Sequence, residues 1–99
     1  MINQKIKVAI VGSSIGGLSA ANALNRLGFE VTVFEAFSKG FQHRGGALGA
    51  VDLQLLQTIL PTGTIQKRIH NHGHFYGDLW QYLYEGLPKY SVKFGIDIQ

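Results

Sequence analysis

A short apolar run that ends in glycines and passes directly into an amphipathic helix constrains this chain more than any other feature. Residues 8–18 read VAIVGSSIGGL. Gly12 allows a tight turn after a strand, a small residue at position 14 lets backbone approach a ligand, and Gly17 lets the helix pack closely on the strand. The pattern predicts a βαβ unit whose helix N-terminus offers free amide groups and a partial positive charge to phosphates.

A second β-rich run, FEVTVF at residues 29–34, is followed by an acidic residue, Glu35. A carboxylate at the carboxyl end of the second strand accepts hydrogen bonds from a ribose and disfavours a 2′-phosphate. The two runs together predict a Rossmann-like α/β domain with a parallel sheet that binds FAD or NAD(P). The domain is expected to span residues 1–99 and to be incomplete.

The segment between the two strands has the pattern of a crossover helix. Apolar residues recur at near-helical spacing and predict a face buried on the sheet, namely Leu18, Ala21, Leu24 and Leu27. Gly28 lies where a left-handed C-terminal cap is expected. Ser14 replaces the second glycine of the usual fingerprint, and its hydroxyl is a further donor for a phosphate oxygen.

The rest of the chain predicts shorter elements. Asp52 is a candidate N-cap, and Pro61 is expected to end the helix that follows it. In order, we expect a glycine-bearing loop from Ala36 to Gly49, a helix from Asp52 to Leu60, an ambiguous segment with one short strand from Thr62 to Gly77, a helix from Asp78 to Leu87, and an alternating strand from Tyr90 to Ile98.

Composition excludes several classes of function. A chain of 99 residues forms at most one small domain, and 45% apolar with 15% charged residues argues against disorder. The net charge of +3 comes from scattered residues, so nucleic acid is not an expected partner. No apolar run approaches the length of a membrane span, which is about 20 residues. The chain has no cysteine, which excludes a disulfide framework and fits a cytoplasmic location.

Three alternating histidines raise the possibility of a metal site. On a strand, His70, His72 and His74 would face the same way, and neutral imidazoles suit zinc or iron. No carboxylate lies close in sequence, and Gly73 weakens the strand on which this geometry depends. Exposed histidines are the simpler interpretation, and we predict no metal site.

The motifs resemble those of a known family. AIVGSSIGGLSAA at residues 9–21, Glu35, and RGGAL at residues 44–48 are similar to the FAD-dependent aromatic-ring hydroxylases, single-component flavoprotein monooxygenases of the para-hydroxybenzoate hydroxylase kind. The resemblance covers residues 5–60 well and residues 76–98 loosely. In that family, a nicotinamide cofactor reduces FAD, which then reacts with oxygen and hydroxylates an organic substrate.

The resemblance implies a set of cofactor contacts. The adenosine ribose is expected at Glu35, next to Ala36. Arg44, Gly45 and Gly46 are expected to lie along the cofactor towards the flavin. The pyrophosphate is expected at the glycine turn, formed by Gly12, Ser13, Ser14, Ile15, Gly16 and Gly17.

The chain also departs from this family. Members are several times longer, and the Asp-Gly and later Gly-Asp segments that complete their flavin site are missing here. Many members have an arginine near the position of Asp78, whereas the last arginine here is Arg68. Residues 62–77 would be an abridged excursion towards a missing substrate domain. We therefore expect a fragment of a longer enzyme, inactive alone, and the sequence identifies no catalytic residue.

Two other functions fit the sequence. The glycine fingerprint alone also suits an NAD-dependent reductase fragment. A non-catalytic remnant that only mediates interactions is the third possibility, since an unpaired sheet edge would allow self-association.

Overall fold

A computed structural model describes residues 6–41, 47–48, 53–59 and 74–98. The strands and helices of this part of the chain are, in order, β1 (Lys7–Val11), α1 (Ile15–Arg26), β2 (Glu30–Glu35), β3 (Ala47–Leu48), α2 (Leu53–Ile59), β4 (His74–Phe75), α3 (Tyr76–Glu85) and β5 (Val92–Phe94).

The main sheet has three parallel strands in the order β1-β2-β5. Val8 lies beside Val31, and Ile10 lies beside Val33. On the other side of β2, Val33 lies beside Val92. Helix α1 connects the first two parallel strands, so the predicted βαβ unit and α/β class are confirmed.

Helix α1 ends as its sequence predicts. Gly28 has a φ of +99°, in the left-handed region that favours glycine. The Gly28 amide donates to the carbonyl of Asn25 and the Phe29 amide donates to the carbonyl of Leu24, each at 3.1 Å. These two bonds form the Schellman arrangement, which satisfies carbonyls at the end of a helix and turns the chain into β2.

One cluster of buried apolar side chains joins the helices to the sheet. Asn22 is also buried, and its amide nitrogen donates to the carbonyls of Leu18 and Leu83 at 2.8 Å each, which ties α1 to α3. The buried apolar residues of this core are Leu18, Ala21, Val31, Val33, Leu79, Trp80, Leu83, Leu87 and Val92.

The two faces of the parallel sheet differ in burial. Side chains that point towards the helices, such as Val8 and Ile10, pack against the core. On the opposite face Ala9 and Lys93 are exposed, and Val11 is 65% exposed. Parallel sheets are usually covered on both faces, because their crossover helices lie on both sides. Within the described ranges the sheet is covered on one face only, which confirms the prediction of an incomplete domain.

One predicted segment differs from the structure, and the two elements predicted after it are present. The expected loop from Ala36 to Gly49 contains strand β3, because Ala47–Leu48 pairs antiparallel with His74–Phe75. A glycine-rich local sequence does not reveal a partner so far along the chain. The expected strand in the segment from Thr62 to Gly77 is β4. Helix α2 lies inside the range predicted for it, whereas its expected cap at Asp52 and its expected end at Pro61 lie outside the described residues.

The C-terminal elements form with changed limits. Helix α3 begins and ends two residues earlier than predicted. The predicted strand from Tyr90 to Ile98 was wrong outside Val92–Phe94. Tyr90 and Gly95 have φ values of 67° and 75°, so the extended backbone is interrupted on both sides of β5. Alternating apolar residues therefore predicted a longer strand than the backbone allows, and Ile96 and Ile98 are exposed.

No helix in the described part of the chain is long and apolar enough to cross a membrane.

Candidate dinucleotide-binding site

The predicted phosphate loop lies at the carboxyl ends of β1 and β2. Gly12 has a φ of +101°, and its amide donates to the carbonyl of Phe34 at 2.8 Å. A β-carbon on Gly17 would collide with the carbonyl oxygen of Gly12. Glycine is therefore required at position 12 by backbone conformation and at position 17 by close packing, which are the two reasons that the fingerprint implies.

The first turn of α1 presents backbone amides at this loop. The Ile15 amide donates to the hydroxyl oxygen of Tyr76 at 3.3 Å. The amides of Gly16 and Gly17 have no acceptor among the residues that the structure describes. Ser14 is the exposed N-cap, and its side chain makes no capping hydrogen bond. Unpaired amides and a free hydroxyl at a helix N-terminus are suitable donors for an anion.

Gly16 differs from Gly17 in its surroundings. A β-carbon on Gly16 would meet only the Ser14 hydroxyl oxygen, at 3.9 Å, which is ordinary van der Waals contact. Packing within the described chain therefore does not require glycine at position 16. The exposed surface at Gly16 leaves room for a ligand beside the helix N-terminus.

Glu35 is buried at the end of β2 and holds the phosphate loop. One carboxylate oxygen, Oε1, accepts hydrogen bonds from the Ser13 amide at 2.8 Å and from the Ser13 hydroxyl at 2.7 Å. The other, Oε2, accepts from the Phe37 amide at 2.9 Å. Ser13 has no exposed surface and Glu35 has 6%. Glu35, the residue predicted to bind the ribose, therefore lies at the expected strand end. Its carboxylate already accepts hydrogen bonds from the protein's own donors.

These hydrogen bonds determine the ionisation of Glu35. Burial alone would raise its pKa, but the donors from Phe37, Ser13 and Ala36 outweigh burial and hold the pKa below the ordinary value of 4.5. Because the pKa is lowered on folding, the ionised carboxylate stabilises the fold above its unfolded-state pKa. That contribution is lost as the pH falls through the folded-state pKa. At neutral pH the site therefore contains a carboxylate, a hydrogen-bond acceptor for hydroxyl groups.

Two aromatic residues of α3 also contact the loop, and the sequence analysis missed their role. The indole nitrogen of Trp80 donates to the Ser13 carbonyl at 2.6 Å, and Trp80 is 1% exposed. Tyr76, one turn earlier on α3, accepts the bond from Ile15 described above. Their spacing of four places both on one helix face. In the sequence, the four-residue spacing of these two aromatic residues with polar groups was the feature from which their role could have been inferred.

Aromatic packing fixes the position of Trp80. Its ring stacks on Tyr84 with centroids 5.0 Å apart and an angle of 12° between planes. Phe41 meets the same indole edge-on at 6.2 Å. The donor to the loop is thus held in place by the rings of Tyr84 and Phe41.

The other candidate residues lie beside the site or outside the described residues. Ala36 follows Glu35 and is exposed. Arg44, Gly45 and Gly46, expected along the cofactor, lie outside the described residues, as do His70 and His72. His74 is part of β4. Among described residues, no cluster of three or more histidine, cysteine or acidic side chains could hold a metal ion.

Comparison with known proteins identifies related sequences for the same segment. Residues 10–39 match the profile of the family described as NAD(P)-binding Rossmann-like domain. The chloroplastic zeaxanthin epoxidase of Solanum lycopersicum is 37% identical over 75 residues, which cover 63% of this chain and 11% of that protein. The chain thus spans about a tenth of the length of this relative.

Solved structures share the fold over nearly the whole chain. A protein of Photorhabdus luminescens, assigned as an FAD-containing monooxygenase, matches with a TM-score of 0.70 and 21% identity, covering 92% of this chain and 31% of that one. The 2,6-dihydroxypyridine-3-hydroxylase of Arthrobacter nicotinovorans matches with 0.66 and 20%, covering 93% and 29%. CtdE in complex with FAD matches with 0.68 and 20%, covering 93% and 30%.

These matches agree with the resemblance inferred from the motifs. The structural likenesses, at 20–21% identity, show the fold, and the epoxidase adds a likeness in sequence. The glycine turn and the acidic end of β2 both fall inside the segment matched by the Rossmann-like profile. In sequence and in fold, the chain therefore resembles part of the nucleotide-binding domain of FAD-containing monooxygenases.

Proposed function

We propose that this chain is the FAD-binding portion of a flavin-dependent monooxygenase. The junction between β1 and α1 carries the proposal. There, Gly17 packs against the Gly12 carbonyl, and the amides of Gly16 and Gly17 are left without an acceptor among the described residues. A junction that exposes amides beside a buried carboxylate suits a ligand with both phosphate and ribose.

The proposed role of each cofactor residue comes from the glycine turn, from the end of β2 or from the family resemblance. The pyrophosphate would lie at the turn from Gly12 to Gly17, with the Ser14 hydroxyl as an additional donor. Glu35 would accept from the adenosine ribose, next to Ala36. Arg44 and its two following glycines would extend the site towards the flavin. When bound, FAD supplies the redox chemistry, and this chain supplies binding and orientation.

The reaction of the whole protein is proposed from its relatives. NAD(P)H would reduce FAD, and a small organic substrate would be hydroxylated. The chain covers only 29–31% of the matched structures, so we expect no turnover by this chain alone. The domain assignment follows the same argument: residues 1–99 would form the cofactor-binding part, and residues 62–77 would be an abridged excursion towards a missing substrate domain.

A nicotinamide dinucleotide is the second candidate ligand. The family whose profile matches residues 10–39 is described as NAD(P)-binding, and the fingerprint serves both kinds of dinucleotide. The three matched structures are an FAD-containing monooxygenase, a hydroxylase and a protein in complex with FAD. These matches favour FAD.

A titration with FAD, run beside NADH, tests the proposal. We expect saturable binding of FAD in preference to NADH. Glu35→Ala should weaken FAD binding about tenfold to hundredfold, since one or two charge-assisted hydrogen bonds of about 1.5–3 kcal/mol would be lost. Glu30→Ala is the matched control, because Glu30 is an exposed glutamate on the same strand.

Fluorescence of the flavin measures binding, and circular dichroism verifies that each variant is folded. A folded chain that binds neither dinucleotide would contradict the proposal. Preferential binding of NADH would favour the reductase fragment instead.

Self-association and location complete the proposal. Among the described strands, β1 is at an edge of the parallel sheet, and the face that bears Val11 is exposed. Edge strands with exposed apolar neighbours pair readily with other chains, which supports association of two copies through this surface.

A cytoplasmic location stays a prediction, supported by the absence of cysteine from the chain.

A further inference from the structure

We infer that the exposed ring of Phe37 is the surface on which the adenine of the bound dinucleotide stacks. The inference rests on the proposed function and deepens it, because it assigns the base of the ligand to one side chain. Phe37 lies two residues after Glu35 and belongs neither to the glycine turn nor to the residues predicted to contact the cofactor.

The backbone of Phe37 is held from both sides, while its side chain is 56% exposed. Its amide donates to Oε2 of Glu35 at 2.9 Å, and its carbonyl accepts from the Gly95 amide at 2.8 Å. An exposed apolar side chain alone indicates no site, since such residues are common on protein surfaces. Phe37 differs because a fixed backbone holds its ring beside the carboxylate that is proposed to bind the ribose.

The contact between Phe37 and Phe41 leaves a face of the Phe37 ring free. The two rings meet edge to face, with centroids 5.6 Å apart and an angle of 85° between their planes. In such a contact Phe41 covers at most one face of the Phe37 ring. Because more than half of Phe37 is exposed, the remaining face is open to a ligand. A flat, uncharged aromatic base is the ligand group that stacks on a face of this kind.

The distance from Phe37 to the Glu35 carboxylate suits a nucleoside. The Phe37 nitrogen is 2.9 Å from Oε2 and the N–Cα bond is about 1.5 Å long, so the Phe37 Cα lies within about 4.4 Å of that oxygen. In a nucleotide, the base is attached to the ribose carbon next to the one that bears the 2′-hydroxyl. A ribose held at Oε2 therefore brings its base close to the Phe37 ring.

The hydrogen bonds of Glu35 favour Oε2 for the ribose. Oε1 accepts two hydrogen bonds, both from Ser13, whereas Oε2 accepts one, from Phe37. Each carboxylate oxygen has about two acceptor positions. A ribose hydroxyl can thus bind at Oε2 while the hydrogen bonds from Ser13 stay in place, and Oε2 is the oxygen nearer to the exposed ring.

Two ligands and a substitution of Phe37 test the assignment. ADP has the base, the ribose and two phosphates, whereas inorganic pyrophosphate has the phosphates alone. Phe37→Ala should bind ADP about fivefold to a hundredfold more weakly than the unmodified chain, because the stacking contact is lost. Its affinity for pyrophosphate should not change. Isothermal titration calorimetry measures the four affinities, and FAD is titrated alongside.

Aromatic and aliphatic replacements separate stacking from apolar contact. Phe37→Trp keeps a stacking face and should bind ADP at least as tightly as the unmodified chain. Its indole also reports the contact: ADP should quench its fluorescence and pyrophosphate should not, after the emission of Trp80 in the unmodified chain is subtracted. Phe37→Leu keeps an apolar side chain against Phe41 but should lose ADP affinity as Phe37→Ala does, and it provides the test if Phe37→Ala does not fold.

Leu27→Ala is the matched control for loss of an exposed apolar side chain. Leu27 is 75% exposed and follows the last turn of α1, at the opposite end of that helix from the phosphate loop. Its substitution should leave the affinities for ADP, FAD and pyrophosphate unchanged.

The outcomes distinguish this inference from the proposed function. If the unmodified chain binds ADP and FAD but Phe37→Ala and Phe37→Leu bind ADP equally well, the ring does not hold the base and the proposed function stands. Equal weakening for ADP and pyrophosphate would also overturn the inference, since the loss would not depend on the base. If neither the unmodified chain nor Phe37→Trp binds ADP or FAD, both proposals are wrong.

Discussion

Single residues around the phosphate loop differ sharply in what the fold demands of them. Gly12 needs a positive φ, Gly17 needs the absence of a side chain, and Gly16 needs neither. The sequence predicted the first two demands, because the fingerprint encodes them by position. It could not predict that Ser13 and Glu35 would bind each other, since that contact depends on the distance between the ends of two strands.

The contrast between the adjacent glycines of α1 yields a stability prediction. Gly17→Ala should lower the unfolding free energy by at least about 3 kcal/mol, because the new methyl group would displace the backbone at Gly12. For a domain of this size, the melting temperature should fall by more than about 10 °C. Thermal unfolding followed by circular dichroism measures the change.

Gly16→Ala is the matched control for that prediction. It adds the same methyl group one residue earlier, where the nearest described atom outside the adjoining residues and the helix's own backbone is the Ser14 hydroxyl oxygen, at 3.9 Å. Alanine is the better helix former by about 1 kcal/mol, so the melting temperature should stay constant or rise by a few degrees. Equal destabilisation by the two substitutions would contradict the packing argument.

At the scale of elements, α3 has a larger role than its sequence pattern indicated. The sequence predicted a helix here, and the helix is confirmed with its apolar side chains packed in the core. The pattern did not show that the same helix holds the phosphate loop through Trp80 and approaches the N-terminus of α1 through Tyr76. Periodicity describes which face of a helix is buried, but it does not identify the backbone groups that face it.

A Trp80→Phe substitution tests the link between α3 and the loop. Phenylalanine keeps an aromatic ring but is smaller than the indole and lacks its N–H, so the Ser13 carbonyl loses its donor and a cavity forms. Together these should cost at least about 1–3 kcal/mol of unfolding free energy. The melting temperature should fall by about 5–15 °C. Tyr84→Phe is the control, because it keeps the ring that stacks on Trp80 and leaves the indole bond intact. Comparable losses in both variants would mean that the bond to the loop contributes little.

At the scale of the whole molecule, the parallel sheet of the described chain is covered on one face and exposed on the other. The covered face, on which α1 and α3 pack, was predictable from the alternating and helical periodicities of the sequence. The lengths of the short C-terminal strand and of β3 were not, because both depend on pairing partners and on backbone turns at Tyr90 and Gly95. The contacts of Arg44 stay a prediction from the resemblance alone.

The exposed sheet face leads to a prediction about association. If two copies meet through this surface, the average mass of the chain should rise with concentration in sedimentation velocity experiments. Val11→Lys should shift the chain towards monomer, because a charge would have to be buried in the contact. Leu27→Lys changes an equally exposed apolar residue at the end of α1 and should not alter the mass. A concentration-independent monomer would contradict self-association.

The bond between Trp80 and Ser13 has a consequence for the order in which the protein folds. The two residues are 67 positions apart, and Ile15 and Tyr76 are 61 apart. The bonds between Ser13 and Glu35 span only 22 residues. During synthesis the first two strands and α1 can associate early, whereas the loop gains its α3 support only after Trp80, 67 residues beyond Ser13, has emerged. Contacts of such long range slow folding, since closing a large loop costs entropy. The nucleotide site thus combines short-range contacts between Ser13 and Glu35 with long-range contacts to α3.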